Sequence, residues 1–199
     1  MFRGIQKVSL IDYPGRIAST FFTAGCNFNC PWCHNRKLVF PDLYAQIPEI
    51  TEDDAFNYLL SRKGLIQGVC VTGGEPSLWG ERLELFFKRC KENGFLTKLD
   101  TNGYLPGALK GYLDSNFLDF VAMDIKNTFG KYARTAGLDS IDTGKINESI
   151  DLIKRSGISH QFRTTVVPGL VDREEMEALS LEIGEKIVFQ EYRAATSNE

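Results

Sequence analysis

Phe21-Phe22-Thr23-Ala24-Gly25-Cys26-Asn27-Phe28-Asn29-Cys30-Pro31-Trp32-Cys33-His34-Asn35 runs from an apolar stretch straight into a loop that holds three of the chain's five cysteines. The apolar stretch, from about Arg16 to Thr23, reads as a strand, so the thiols hang from a strand's carboxyl end. A short loop of this kind curls back on itself and can aim several sulfurs at one inorganic centre. A structural zinc or an electron-transfer cluster is normally closed by four protein ligands, so three on one loop leave a metal position for something else. From the residues alone, three readings stand. One is an iron–sulfur cluster. Another is zinc completed by Cys70, Cys90 or His160. The third takes Cys30-Pro31-Trp32-Cys33 as a redox dithiol, which leaves Cys26 without a task.

The rest of the chain narrows the choice. Its 199 residues are 43% hydrophobic and 25% charged, an ordinary globular composition that suits one domain spanning 1–199. A formal charge of −3, with no long Lys/Arg cluster, argues against a nucleic-acid partner. No segment approaches the ~20 apolar residues of a membrane span, and Met1-Phe2-Arg3-Gly4-Ile5-Gln6 has no apolar signal core. A cytoplasmic protein is therefore expected, with no membrane contact. In a reducing cytosol an odd five cysteines make no disulfide framework, which favours a metal role for the clustered three.

Outward from the cysteine loop, apolar β-branched runs alternate with helical patterns. Strands are predicted at Gly68 to Thr72, Leu96 to Leu99, Phe117 to Ile125, Ser159 to Val167 and Lys186 to Gln190. Thr51 followed by Glu52-Asp53-Asp54 reads as an N-cap and an acidic first turn of a helix ending at Gly64. Further helices are predicted from Trp79 to Asn93, with Leu83, Phe86, Phe87 and Cys90 on one face, from Pro106 to Asp114, across Ile146, Ile150 and Ile153 to Gly157, and from Arg173 to Gly184. Lys37 to Ile50 reads as mostly loop, and Asn127 to Gly144 as either an irregular loop or a functional cover. Strands separated by helices predict a parallel sheet with right-handed crossovers. A closed eight-stranded barrel takes about 250 residues. The fold expected is therefore α/β, a partial, open (β/α)6 TIM-like barrel with its ligand site at the carboxyl ends of the strands.

Those ends carry the polar residues that matter: Cys26 to Cys33, Gly73-Gly74-Glu75-Pro76, Asp100-Thr101-Asn102-Gly103, Asp124-Ile125-Lys126 and Glu191 to Arg193. Gly73 and Gly74 leave backbone open to a ligand, and Glu75 offers an acceptor for a cationic amine. Asp100 and Asp124 end neighbouring strands, where two carboxylates could hold a cation or a ribose, or serve as helix N-caps.

The spacing C-x3-C-x2-C at Cys26, Cys30 and Cys33, followed by Gly73-Gly74-Glu75-Pro76, resembles the signature of the radical S-adenosylmethionine (SAM) proteins. Gly4-Ile5-Gln6 through Asp12-Tyr13-Pro14-Gly15, Thr23-Ala24-Gly25-Cys26-Asn27-Phe28, Cys33-His34-Asn35, Leu99-Asp100-Thr101-Asn102-Gly103, Ala122-Met123-Asp124-Ile125-Lys126 and Val166-Val167-Pro168-Gly169 resemble the activating proteins of glycyl-radical enzymes, in particular those serving anaerobic ribonucleoside-triphosphate reductase. The resemblance covers nearly the whole chain. It departs at the end, where this sequence stops at Ser197-Asn198-Glu199 while such proteins often continue, which leaves a C-terminal contact to a partner open.

What the resemblance implies is a [4Fe-4S] cluster on Cys26, Cys30 and Cys33, with the open iron chelated by the amino and carboxylate groups of SAM. Reduction by a low-potential donor such as flavodoxin or ferredoxin would release methionine and a 5′-deoxyadenosyl radical, which takes a hydrogen atom from a glycine of the partner enzyme. By the same resemblance Trp32 and His34 flank the cluster. Gly74 and Glu75 meet the methionine amine, and Gly73, Thr101 and Asn102 also belong to the cofactor-binding set. Ile125, Lys126 and Asn127 line the far side. Asp100 and Asp124 lie beside the methionine carboxylate, with a monovalent cation. Two alternatives remain from other classes: a small-molecule radical enzyme similar to 7-carboxy-7-deazaguanine synthase, and a zinc-stabilised, non-catalytic binding module.

Overall fold

In the computed structural model, which describes residues 1–193, the apolar runs become strands of one sheet. The terminal Ser197-Asn198-Glu199 lies outside the described residues. The strands are β1 (Phe2–Ser9), β2 (Ala18–Thr23), β3 (Gly68–Gly73), β4 (Leu96–Thr101), β5 (Phe120–Asp124), β6 (Ser159–Val166) and β7 (Ile187–Glu191). They lie in the order β1-β2-β3-β4-β5-β6-β7, each beside its neighbours in sequence. From β2 to β7 every pairing is parallel, as helical crossovers require. The helices are α1 (Pro41–Tyr44), α2 (Glu52–Ser61), α3 (Gly80–Glu92), α4 (Pro106–Asp114), α5 (Tyr132–Ala136), α6 (Thr143–Ser156) and α7 (Arg173–Ile183). This is the expected partial barrel, with one strand more than predicted.

The additional strand is β1, which pairs antiparallel with β2 at the sheet's edge. Its sequence, Phe2-Arg3-Gly4-Ile5-Gln6-Lys7-Val8-Ser9, has weak strand propensity, and its place comes from packing. The fully buried Phe2 ring sits 5.1 Å from Phe21 and 4.9 Å from Phe86, joining the strand to both β2 and α3. The Thr51 cap of α2 is present as a capping box: Asp54 N–H donates to Thr51 Oγ1 and Thr51 N–H donates back to Asp54 Oδ2.

Strand alternation divides the molecule into two environments. On one face Phe21, Val69, Val71, Leu99, Val121, Met123 and Phe162 form a core with Leu83, Phe86, Phe87 and Cys90 of α3, Ile146, Ile150 and Ile153 of α6, and Met176 and Leu179 of α7. The residues between them, Thr20, Cys70, Lys98, Asp100, Asp124 and Arg163, turn to the opposite face, where Thr20 donates to Asp12 and the other five meet one another. At the foot of this polar interior Tyr13, 5% exposed, packs its ring 6.0 Å from that of Phe120. Gly68 stands where a β-carbon would lie 2.8 Å from the Tyr13 ring, so glycine is what lets the loop after β1 tuck under the strands.

Candidate cofactor site

The carboxyl ends of the strands open on a cavity of about 230 Å³. Its wall holds Cys26, Cys30 and Cys33, together with Trp32, His34, Gly73, Gly74, Glu75, Asp100, Thr101, Asn102, Asp124 and Lys126. Two residues expected at the ligand are placed elsewhere. Ile125 is fully buried in the apolar core, because strand alternation turns it away from Asp124 and Lys126. Asn127 is also fully buried and donates from Nδ2 to Thr135 Oγ1 (2.7 Å) and to the Leu170 carbonyl (2.8 Å). The cavity includes Thr72, Thr165 and Gln190, which sequence reasoning missed; inward parity at strand ends was the signal available for all three.

Gly73 and Gly74 are explained by a second backbone. A β-carbon on Gly73 would overlap Thr23 N, and one on Gly74 would overlap the Gly25 carbonyl oxygen. Gly74 N–H donates to Thr23 O (2.9 Å) and Glu75 N–H to Gly25 O (2.7 Å), so the turn after β3 is laced to the start of the cysteine loop. Glu75 continues the lacing. Its carboxylate, 1% exposed, accepts from Ser77 N–H (3.0 Å), Thr101 Oγ1–H (2.7 Å) and Asn102 N–H (2.7 Å). Burial pushes its pKa up and these donors pull it back. Glu75→Gln is expected to cost about 1–3 kcal/mol in urea denaturation, because an amide NH2 then opposes one of the donors; an unchanged midpoint would refute this part of the scaffold.

Asp100 and Asp124 are not helix caps: α4 begins after Leu105, and the 3-10 turn Phe129–Lys131 begins after Thr128. They are joined by Arg163, which donates from Nε to Asp124 (2.8 Å) and from Nη1 to Asp100 (3.3 Å). Lys98, 2% exposed, pairs with Asp100, and Lys126 with Asp124 (3.1 Å). The result is a chain of alternating charge, Lys98–Asp100–Arg163–Asp124–Lys126, running up to the cavity. Burial alone would raise the Asp124 pKa, but Arg163 and then Lys126 more than reverse it and hold the carboxyl well below the usual carboxylate range. Where the resemblance puts a cation beside these carboxylates, the structure puts the guanidinium of Arg163. Lys126 also lies 5.1 Å from the centre of the Trp32 ring. His34 stacks on Tyr192 at 5.6 Å and donates from Nε2 to the Arg193 carbonyl, tying the end of the loop to the chain beyond β7.

The loop's donor set suits a multi-iron centre. Burial pushes the Cys26 thiol up to about 12 and raises that of Cys30, so binding a cationic centre there releases protons. Beside Cys26, Asn27 Nδ2 is buried without an acceptor, a donor that a sulfide- and thiolate-bearing group can engage. The other zinc candidates stand apart from the cavity: Cys70 contacts Lys98 and Asp100 inside the sheet, Cys90 belongs to the core, and His160 bonds the Ile158 carbonyl at the start of β6.

Fold and site together define a partial α/β barrel that presents a three-thiol loop and a ring of strand-end polar groups at one mouth. Residues 20–181 match the radical SAM superfamily, and the chain belongs to it, within the family of the glycyl-radical enzyme activating enzymes. It is 33% identical over 183 residues to a protein described as a glycyl-radical enzyme activating enzyme of Methanocaldococcus jannaschii, covering 89% of this chain and 72% of that one. With a pyruvate formate-lyase-activating enzyme of Clostridium pasteurianum it shares 33% identity over 181 residues, 86% of this chain and 70% of the relative. Among solved structures it is similar in fold to anSMEcpe with bound AdoMet and a peptide, with a TM-score of 0.65 at 19% identity, over 89% of this chain and 50% of that one. The chain thus spans about half the length of that structure. The superfamily uses a [4Fe-4S] cluster and SAM.

Proposed function

We propose that this protein cleaves SAM reductively and installs a glycyl radical on a partner enzyme, with anaerobic ribonucleoside-triphosphate reductase the first partner to test and pyruvate formate-lyase the second. The observation that carries the reading is the convergence of Cys26, Cys30 and Cys33 with Gly74, Glu75, Asp100, Asp124 and Lys126 on one cavity. When bound on the three cysteines, the cluster supplies the electron that splits SAM into methionine and the 5′-deoxyadenosyl radical. The chain's own residues do the holding. Turn backbone at Gly74 offers polar groups to the methionine amine, while the buried Glu75 keeps that turn in register with β4. Lys126 and the Arg163-linked carboxylates orient the charged groups of the ligand, and Trp32 shields the loop. A low-potential flavodoxin or ferredoxin is the proposed donor.

The test is anaerobic reconstitution with iron and sulfide, reduction by dithionite, and assay of 5′-deoxyadenosine. Addition of the glycyl-radical enzyme encoded nearest this gene should then give a glycyl doublet in the electron paramagnetic resonance spectrum. Protein that takes up no cluster, or that carries one and releases no 5′-deoxyadenosine, would refute the proposal. Cleavage without any glycyl signal would move it to a small-molecule substrate.

A further inference from the structure

We propose that the turn formed by α5 and Gly137 is the seat of the cysteine loop, and that Gly137 is a positioning residue for the metal centre; the inference rests on the cluster reading above. By sequence, 127–144 reads as an irregular loop or a functional cover. The structure instead presses it against the backbone between Cys26 and Cys33. Asn29 N–H donates to the Ala136 carbonyl (2.9 Å), and Trp32 Nε1–H donates to the Thr135 carbonyl (3.2 Å). Two consecutive carbonyls of the turn thereby hold the loop on either side of Cys30.

Gly137 completes the seat. It has φ +69°, which favours glycine, and a β-carbon there would overlap the carbonyl oxygen of Asn29 and lie 3.2 Å from Cys30 N. The obstructing atoms are backbone, so a side chain at 137 can be accommodated only by moving the turn or the loop that carries Cys30. The turn itself is anchored from behind. Thr135 Oγ1 accepts from Asn127 Nδ2, whose Oδ1 accepts from Thr128 N–H (2.8 Å), and the buried Tyr132 donates to the Asp124 carbonyl (3.4 Å). Asp124 ends β5 and Asn127 follows three residues on, in the same segment that sends Asp124 and Lys126 into the cavity. One structural unit thus locates both the thiols and the charged wall facing them, and fixes the distance between the two.

Gly157 supplies the control. It has φ +70° at the end of α6, with nothing within 4 Å of its missing β-carbon, so Gly157→Ala imposes the same backbone strain without touching the loop. Anaerobically reconstituted wild type, Gly137→Ala and Gly157→Ala are compared for iron and sulfide per chain, for the rate of iron loss to excess chelator, and for melting temperature. Gly137→Ala is expected to lose iron at least about tenfold faster than wild type. Gly157→Ala should melt lower while holding iron at the wild-type rate. Thr135→Val, which removes the Asn127 anchor and the longer bond from Thr135 Oγ1 to the Lys131 carbonyl (3.4 Å), should shift iron loss in the same direction by less, and it decides the matter if Gly137→Ala does not fold. Wild-type iron retention in the folded Gly137→Ala chain, or in Thr135→Val where that is the deciding variant, overturns the inference, as does equally fast loss in Gly157→Ala. Wild type that assembles no cluster at all overturns the functional reading instead.

Discussion

Cys26→Ala, Cys30→Ala and Cys33→Ala are each expected to abolish cluster assembly, while Cys70→Ala and Cys90→Ala leave iron and sulfide per chain at the wild-type level. The asymmetry follows from placement. The first three thiols line one cavity, whereas Cys70 lies inside the sheet beside Lys98 and Asp100 and Cys90 packs in the apolar core. Losing one of three ligands leaves too few to hold the centre. Losing Cys70 or Cys90 removes only a small buried group, a cost felt in stability and not in iron content. The measurement is iron and sulfide analysis with the visible absorption spectrum after anaerobic reconstitution. A folded Cys70→Ala or Cys90→Ala chain without iron would mean that a fourth protein ligand exists, and the open metal position would be lost with it.

The second large effect is expected at the charge chain. Asp124→Asn should weaken SAM binding and also destabilise the fold by roughly 3 kcal/mol at neutral pH, because it breaks a largely buried ion pair with Arg163 and leaves the guanidinium under-compensated. Stability near wild type would suit an isolated ligand contact or an asparagine-tolerant cap, and the Arg163 bridge removes both expectations. The sign with pH is fixed. A carboxyl depressed in the folded state contributes stability that is fully present above its unfolded pKa, about 3.9, and is lost as pH falls through the lower folded value. The gap between wild type and Asp124→Asn in urea titrations should therefore be widest near neutrality and narrow below about pH 4. Asp100→Asn should act in the same direction, since Asp100 pairs with both Lys98 and Arg163. Unchanged SAM affinity in both variants would take the two carboxylates out of the ligand site; a pH-independent gap would take Asp124 out of the ion chain.

The cavity was largely legible because strand-end logic needs only strand limits, and the β-branched runs marked those limits well. Cys26 to Cys33, Gly74, Glu75, Asp100, Asp124 and Lys126 all followed from that. Arg163 and Lys98 were missed for the opposite reason. A charge in the middle of a parallel strand looks like a surface position, and only the third dimension shows the opposite charges that meet it, on β4 and β5 for Arg163 and two residues along β4 itself for Lys98. Ile125 and Asn127 were misplaced because a contiguous motif was taken as one surface, whereas strand alternation sends its members in opposite directions. Gly73 and Gly74 at the end of β3 read as leaving backbone open to a ligand, yet the neighbour that needs them to be small is the chain's own backbone. β1 was lost because it is an edge strand fixed by the rings of Phe2, Phe21 and Phe86, contacts that no local pattern announces.

A sheet whose strands pair strictly in sequence order can be laid down as the chain leaves the ribosome, each strand docking on the one just made. The cysteine loop is the exception to this vectorial order. Its thiols emerge with β2, but the Trp32 bond to Thr135 spans 103 positions, so the loop waits through the synthesis of three further strands before its support exists. During that interval the loop is held at its start, where Gly25 meets the turn after β3, but lacks its seat on either side of Cys30. If the seat is needed to hold the metal centre, loading is expected only after β5 and the turn behind it have formed, and a nascent chain halted before residue 137 should fail to retain iron even though all three of its cysteines are already present.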